Sequence, residues 1–422
     1  MYLKEKKKKR NYIIAVIFFI IIFIFILVAL IKNKDFLDKR IDRLDLPFFR
    51  EDIVSSEGNE YFISQGFKGS LDNVYVCSKD FKVRGIYINS NSLVDEKIFE
   101  SLIEYSKRND INSFVIDVKD DFGNIVYKTK SKYAKEIGSD NFLIEDIKPR
   151  LMRLEEEGIY PIARIVAFRD PNAKNIPKLS LKAKDGSIWK DFKGNSWLNP
   201  YDEKVHDYLI SIAKEATLLG FKDIQFDYVR FPSDGKLDNI DYSANIETTK
   251  SEAINFFISK ARKEVNRLGA VLSVDTFGLI TSAANDSGIG QELIGIMSSC
   301  DVISPMIYPS HYYGGNFNLR YPNSEPYVVV NESIKDVFSR TEHITDYKDI
   351  AKIRPWIQAF SAPWLKRSHG SNYLEYGGPE ILAQINGLKD AGVDEFLLWN
   401  ASSRYVDFII RQKDVMADSE LD

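Results

Sequence analysis

The stretch DIQFDYVRFP, residues 223–232, contains both the fold signal and the chemical signal of this sequence. Its apolar residues Ile224 and Phe226 alternate with polar ones, which is typical of a β-strand whose two faces differ. Asp227 stands late in the run, where a fully buried strand would ordinarily stay apolar. The stretch therefore predicts a strand that carries ionisable groups to one end of a buried sheet.

Short β-branched runs of this kind recur eight times and alternate with helical patterns. The runs are 83–90, 113–121, 160–168, 223–231, 271–278, 301–309, 354–360 and 395–402. One helix is well marked, because Asn199 and Pro200 are typical of a start and Gly220 of an end. Eight strands alternating with helices predict an α/β fold of the closed (β/α)8 TIM-barrel type.

An open doubly wound sheet is the alternative fold. It would need a glycine-rich turn after the first strand, and residues 89–92 (NSNS) do not provide one. In a barrel, the loops that follow the strands build the active-site face. We expect the long segments 169–198, 232–250 and 310–331 to form that face.

The N-terminal 34 residues differ from the rest of the chain. Residues 12–31 form an uncharged run of 20 residues, long enough as a helix to cross a bilayer core of about 30 Å. Basic residues crowd positions 4–10, which predicts a cytoplasmic N-terminus. We expect a cytoplasmic tail and single-pass transmembrane helix over 1–34, a stalk over 35–80 and an extracytoplasmic barrel over 81–422. A cleaved signal peptide is the alternative, although its apolar core would be shorter.

Charge and cysteine content limit the possible partners. Residues 1–34 carry seven Lys, one Arg and one Glu, a net +7, which leaves −11 for the remainder of a chain whose total is −4. This balance gives no reason to expect nucleic acid and favours neutral or cationic glycans. Cys77 and Cys300 could pair or remain separate thiols. Four His and the lack of His-Glu-x-x-His or Cys-x-x-Cys motifs predict no metal and no cofactor, and give a zinc deacetylase little support.

Three aspartates are the candidate catalytic residues. Asp227 and Asp275 end neighbouring predicted strands, and Asp117 lies at the end of the second strand. Carboxylates on adjacent strands can reach the separation of about 5–9.5 Å that glycosidic cleavage uses. We interpret Asp227 as nucleophile or base, Asp275 as acid and Asp117 as an electrostatic or substrate-holding partner. Each aspartate could equally be a helix cap or an ion-pair partner.

A second group of polar and aromatic residues at strand ends and in the loops predicts a sugar-binding site. Flat aromatic rings stack on the C–H faces of sugars, although ordinary core packing would use the same residues. Lys119 and Arg230 could also keep one carboxylate ionised. The predicted substrate-binding residues are Lys119, Arg230, Tyr308, His311, Trp356, Gln358, Trp399 and Trp197.

A series of short motifs resembles a bacterial family of glycoside hydrolase-like proteins, catalogued as domain of unknown function 4015. The motifs, in order, are VIDVKDD (115–121), ARIVAFRD (163–170), WLNPY (197–201), QFDYVRFP (225–232), SVDTFG (273–278), GIGQ (288–291), PMIYP (305–309), PWIQAF (355–360) and LWN (398–400). The resemblance implies a barrel related to glycosidases that acts on a cell-wall or extracellular polysaccharide.

A wider likeness to family 18 chitinase-type barrels lies in the Asp-rich fourth strand, Met306, Tyr308 and Trp399. Those enzymes place a Glu two residues after the last Asp of that strand, and Val229 stands there in this sequence. Taken together, the sequence predicts a membrane-anchored extracytoplasmic glycoside hydrolase that uses carboxylate acid/base chemistry. A non-catalytic, glycan-binding barrel that acts as a cell-envelope scaffold is the alternative.

Overall fold

A computed structural model describes residues 81–243, 247–344 and 350–409. The predicted transmembrane helix over 12–31, the stalk and Cys77 lie outside the described residues. Within them, no helix is long and apolar enough to cross a membrane. Cys300 is buried, and its Sγ donates a hydrogen bond to the carbonyl of Ile296.

The described residues form one closed parallel sheet surrounded by helices. Each strand pairs in parallel with its neighbours, and the pairing of β5 with β6 and of β9 with β1 closes the ring. The strands are β1 (Arg84–Ile88), β2 (Ser113–Lys119), β3 (Tyr160–Val166), β4 (Asp223–Asp227), β5 (Val271–Phe277), β6 (Val302–Ile307), β7 (Lys352–Ile353), β8 (Trp356–Gln358) and β9 (Phe396–Trp399). The predicted (β/α)8 barrel is therefore confirmed.

Two short strands share the seventh position of the barrel. Strand β6 pairs first with β7 and then with β8, and β8 continues the ring to β9. Pro355 lies in the interruption and has no backbone N–H to donate. The ring thus keeps eight positions although nine strand segments are present.

Helices cover the outside of the barrel. They are α1 (Ser90–Val94), α2 (Glu96–Asn109), α3 (Lys132–Ile137), α4 (Lys148–Glu156), α5 (Glu203–Leu219), α6 (Lys250–Asn266), α7 (Leu293–Ser299), α8 (Pro326–Thr341), α9 (Lys366–His369) and α10 (Gly378–Asp390). The expected start of the helix after residue 199 was wrong. Asp202 caps α5 by accepting from the Lys204 N–H, whereas the Asn199 side chain accepts from the Tyr201 N–H and forms a turn before the helix.

A buried ion-pair network occupies the end of the barrel where the strands begin. The Arg354 guanidinium contacts Asp223 at 2.7 Å and Glu395 at 2.8 Å, and all three side chains are almost fully buried. Asp223, the first residue of β4, therefore has a structural role. The opposite end, where the strands finish, holds the main cavity.

Candidate functional site

A cavity of about 610 Å³ opens at the carboxyl ends of the strands. Both polar and aromatic side chains line it, a composition typical of small-molecule and saccharide sites. Of the predicted site residues, it brings together Asp227, Asp275, Arg230, Tyr308, His311, Trp356 and Trp399. It also includes Asp121, Arg164, Lys193, Tyr228, Asp234, Phe277, Tyr312 and Tyr313, which the site prediction omitted.

Strand register places Asp227 and Asp275 side by side. Gln225 pairs with Ser273 and Phe226 with Val274, so the next level of the sheet holds Asp227 and Asp275. Neighbouring strands lie about 4.8 Å apart, which keeps the two carboxyl groups within reach of a single substrate bond. Both side chains are more than nine-tenths buried. Two acids this close, in so little water, do not ionise equally.

Arg164 forms a buried ion pair with Asp227. Its Nε and Nη2 atoms donate to one oxygen of Asp227 at 3.0 and 2.6 Å. The other Asp227 oxygen accepts from the backbone N–H of Tyr228 at 2.6 Å. Charge-assisted hydrogen bonds of this kind favour the carboxylate over the acid.

Asp275 has the opposite environment. Burial raises the pKa of Asp275 well above its usual range, and the negative charge of Asp227 raises it further. The indole N–H of Trp356 donates to Oδ1 of Asp275 at 2.7 Å and opposes part of this shift. The two carboxyl groups therefore have different surroundings: Asp227 is paired with a guanidinium, whereas burial favours the neutral form of Asp275. Pairs of carboxyl groups in unequal environments are typical of acid/base sites.

The third predicted carboxylate, Asp117, lies below the cavity. It is 3% exposed, accepts from the Tyr87 hydroxyl at 2.5 Å and pairs with Arg164 at 2.7 Å. Burial raises the pKa of Asp117 to about 6, although Arg164 and Tyr87 lower it in part. Asp117 thus orients Arg164 and does not line the cavity wall.

Asp121 is one of two cavity-lining aspartates that the site prediction missed, and Asp234 is the other. Arg164 contacts it at 3.2 Å and Arg169 at 3.1 Å. Burial alone would raise the pKa of Asp121, but the two guanidinium groups outweigh burial and lower it. The two adjacent aspartates in VIDVKDD were a signal, but the sequence does not show which of them faces the cavity.

Lys119 does not contact the cavity, so its assignment as a substrate-binding residue is corrected. The pairing of β2 with β3 shifts register between Asp117 and Lys119. Such a shift breaks the alternation of faces, so Lys119 does not follow Asp117 into the barrel mouth. Its fully buried ammonium instead pairs with Asp170 at 3.0 Å and donates to the Val166 carbonyl at 2.8 Å.

Gln358 and Trp197 are also fully buried and support the cavity from behind. The Gln358 side chain accepts from the Ser310 N–H and donates to the Phe360 carbonyl. It therefore holds the loop that carries His311. The indole of Trp197 donates to Asp191 at 3.3 Å. In this structure neither side chain is open to a substrate, and both predicted contacts are corrected to positioning roles.

Tyr228 adopts a backbone conformation that is unusual for a bulky residue. Its φ is +50°, in the left-handed region. This turn directly after β4 aims the Tyr228 N–H at the Asp227 carboxylate and the hydroxyl toward Arg169, which donates to it at 2.7 Å. Nothing in the residue types around position 228 predicts this conformation.

Val229 occupies the position at which the chitinase-type pattern has a Glu. Its side chain is completely buried, two residues beyond Asp227. The left-handed turn at Tyr228 takes the chain away from the strand direction. Val229 therefore presents no ionisable group to the cavity, and the carboxyl group on the neighbouring strand is that of Asp275.

No metal-ligand set is evident among the described residues. They contain no group of three or more His, Cys, Asp or Glu side chains arranged to hold a metal ion. Three carboxylates near the cavity pair instead with one cation, Arg164; they are those of Asp117, Asp121 and Asp227.

A closed parallel barrel with a carboxylate-lined cavity at the carboxyl ends of its strands defines a TIM-barrel protein with an enzyme-type site. Residues 85–405 match the family of domain of unknown function 4015, described as "Putative glycosyl hydrolase domain". The chain belongs to this family, and the resemblance seen in its motifs is confirmed.

One solved structure supports the same fold with a TM-score above 0.5. The glycoside hydrolase domain of PgaB (BpsB) from Bordetella bronchiseptica is similar with a TM-score of 0.53 and 12% identity, over 80% of this chain and 98% of that one. A hypothetical protein from Ruminiclostridium thermocellum is 32% identical, over 45% of this chain and 96% of that one, with a TM-score of 0.41. No protein with a curated description matches the chain in sequence.

Proposed function

We propose that this protein is a glycoside hydrolase that cleaves a cell-wall or extracellular polysaccharide, with Asp275 as acid and Asp227 as nucleophile or base. The proposal rests chiefly on the unequal environments of these two adjacent carboxyl groups. Asp227 is paired with Arg164, whereas Asp275 is buried, forms no ion pair with any described residue and is oriented by Trp356. Membership of a family described as a glycosyl hydrolase domain agrees with this reading.

In this mechanism the Asp275 carboxyl donates its proton to the glycosidic oxygen as the bond to the anomeric carbon breaks. Asp227 then either attacks the anomeric carbon or removes a proton from an attacking water. A carboxylate offers four lone pairs, and the three hydrogen bonds to Asp227 leave one for this purpose. Tyr308 and Trp399 line the cavity and give the sugar a hydroxyl donor and an aromatic face.

The direct test is hydrolysis by the full-length protein, purified in detergent, of a panel of wall and capsule polysaccharides. Release of new reducing ends by the wild type should fall by about 100-fold or more in Asp275→Asn and in Asp227→Asn. Asp394→Asn is a matched control, because Asp394 is exposed and lies outside the cavity. Unchanged hydrolysis in both cavity variants would contradict the proposed roles.

A glycan-binding scaffold remains the second candidate, because each Asp227 oxygen already accepts a hydrogen bond within the protein. The same panel separates the two functions. Binding of a polysaccharide without release of reducing ends, in wild type as in Asp275→Asn, would favour the scaffold.

The membrane anchor is a further part of the proposal. It is supported by the uncharged run over 12–31 and by the basic residues before it. Full-length protein should resist alkaline extraction from membranes, and external protease should digest the barrel in intact spheroplasts. Recovery of a soluble protein shortened by about 34 residues would instead show a cleaved signal peptide.

A further inference from the structure

Arg230 is a buried cation on the cavity wall, and no anionic side chain among the described residues pairs with it. It is 6% exposed and lies three residues after Asp227, where it lines the cavity. Within the part of the chain that the structure describes, its hydrogen bonding is limited to one donation from Nη1 to the Phe231 carbonyl at 2.9 Å, and it forms no ion pair. A guanidinium carries five N–H donors, so most of its donors are unused by the protein.

Aromatic rings hold this guanidinium in place. Its central carbon lies 4.5 Å from the centre of the Phe277 ring, and 5.1 Å from the centres of the Trp197 and Tyr228 rings. These contacts come from the loops after β3 and β4 and from the end of β5. Stacking stabilises the flat faces of a guanidinium and leaves the N–H groups at its edge available.

The rings do not replace the solvation that Arg230 has lost. Burial lowers the pKa of Arg230, and the nearby charges of Tyr228, Asp227 and Asp234 only partly oppose that effect. A buried cation is ordinarily paired, since an unpaired one is costly. Lys193 lines the same cavity, and its ammonium also forms no ion pair among the described residues. The cavity wall therefore holds a buried cation whose N–H donors are largely unused, beside the proposed catalytic carboxyls.

We infer that Arg230 binds an anionic group on the sugar substrate, so that the cognate polysaccharide carries carboxylate-bearing residues such as uronic acids. This inference rests on the proposed function, because it names the substrate class of the same cavity. A guanidinium edge matches the two oxygens of a carboxylate, and a phosphate presents similar geometry.

An anionic glycan differs from the neutral or cationic glycan that the net charge of the chain favoured. The chain beyond residue 34 has a net charge of −11. Salt screens the field of exposed charges beyond about 10 Å, so this net charge has little effect on contacts inside the cavity. Arg230 and Lys193 act at contact distance inside the cavity. Local pairing determines which sugar is held, while the overall charge affects mainly the rate of encounter.

The test measures binding and hydrolysis separately with the full-length protein. Calorimetric titration with glucuronan oligosaccharides should show binding, whereas the same oligosaccharides with reduced carboxyl groups should bind on the order of tenfold to a hundredfold more weakly. Arg230→Gln should abolish this preference, and Arg230→Lys should restore part of it. Arg267→Gln, at the exposed residue that follows the C-terminus of α6, is the matched control and should bind as wild type does.

Three outcomes would overturn the inference. They are equal binding of native and carboxyl-reduced oligosaccharides, an unchanged preference in Arg230→Gln, and a stronger preference for inorganic phosphate or a glycosyl phosphate than for glucuronate. The comparison of the two oligosaccharides uses wild-type protein, so it holds even if Arg230→Gln fails to fold.

Failure of the proposed function would look different. If Asp275→Asn keeps the Arg230-dependent binding while wild type hydrolyses no glycan, the ligand class stands and catalysis does not. If wild type hydrolyses native and reduced polysaccharides equally well, catalysis stands and the ligand class does not.

Discussion

The indole N–H of Trp356, on β8, donates a 2.7 Å hydrogen bond to the carboxyl group of Asp275, on β5. The two residues are 81 positions apart in the chain and meet inside the barrel mouth. The bond fixes the orientation of the proposed acid and favours its ionised form, against burial and the charge of Asp227. Trp356 thus lowers the pKa of Asp275 in part and also lines the cavity.

This contact predicts a shift in the pH profile of Trp356→Phe. Loss of the donor should raise the pKa of Asp275 further, so the alkaline limb of kcat/KM should move to higher pH. Trp364→Phe, at an exposed position on the loop after β8, serves as control. A profile that stays in place or moves to lower pH would show that Asp275 is not the acid.

Arg164 is predicted to be essential for stability as well as for activity. It is almost completely buried and pairs with Asp117, Asp121 and Asp227. Arg164→Gln would leave three crowded carboxylates without this cation, at a cost of about 3–5 kcal/mol in the free energy of unfolding. Urea denaturation of the full-length protein measures this change, with Arg267→Gln as an exposed control.

The effect of Arg164→Gln should also depend on pH. Without the guanidinium, the pKa values of Asp117 and Asp121 rise in the folded state, because Arg164 lowers both. Folded protein then binds more protons than unfolded protein, so the loss of stability should be smaller near pH 5 than near pH 8. A loss that is constant over this range would argue against charge repulsion as its cause.

Asp117 makes a separate prediction about pH. Its pKa rises from 3.8 to about 6 on folding, mainly because of burial. The stabilisation that this carboxyl contributes is present below about pH 4 and is lost as pH rises through about 6. The stability of wild type relative to Asp117→Asn should therefore fall between pH 4 and pH 7 in urea denaturation. If the relative stability rises instead, Asp117 is more acidic than its surroundings indicate.

A substitution of Lys119 tests whether this residue supports the fold or binds the substrate. Lys119→Met should cost about 3–5 kcal/mol of stability, because it leaves the buried Asp170 unpaired. The KM for the glycan should not change in the folded fraction, since Lys119 does not line the cavity. A raised KM with unchanged stability would return Lys119 to the substrate site. Lys260→Met, at a partly exposed surface pair, is the control.

The sequence by itself determined the barrel and its two principal carboxyl groups. Eight apolar runs at helix-spaced intervals leave few alternatives to a closed parallel ring, because each run must be buried on both faces. Asp227 and Asp275 could be located because the ends of parallel strands meet at one rim. These signals are local in the chain, and a single sequence contains them.

Only the tertiary structure decided how the polar residues divide between the site and its support. A register shift in β2 directs Lys119 to Asp170, and a left-handed turn at Tyr228 places Val229 in the core. Closure of the barrel makes Arg164 the shared cation of three aspartates, whereas Arg230 pairs with no carboxylate in the described part of the chain. Pairings between residues so far apart depend on register and ring closure, which residue types along one strand do not specify.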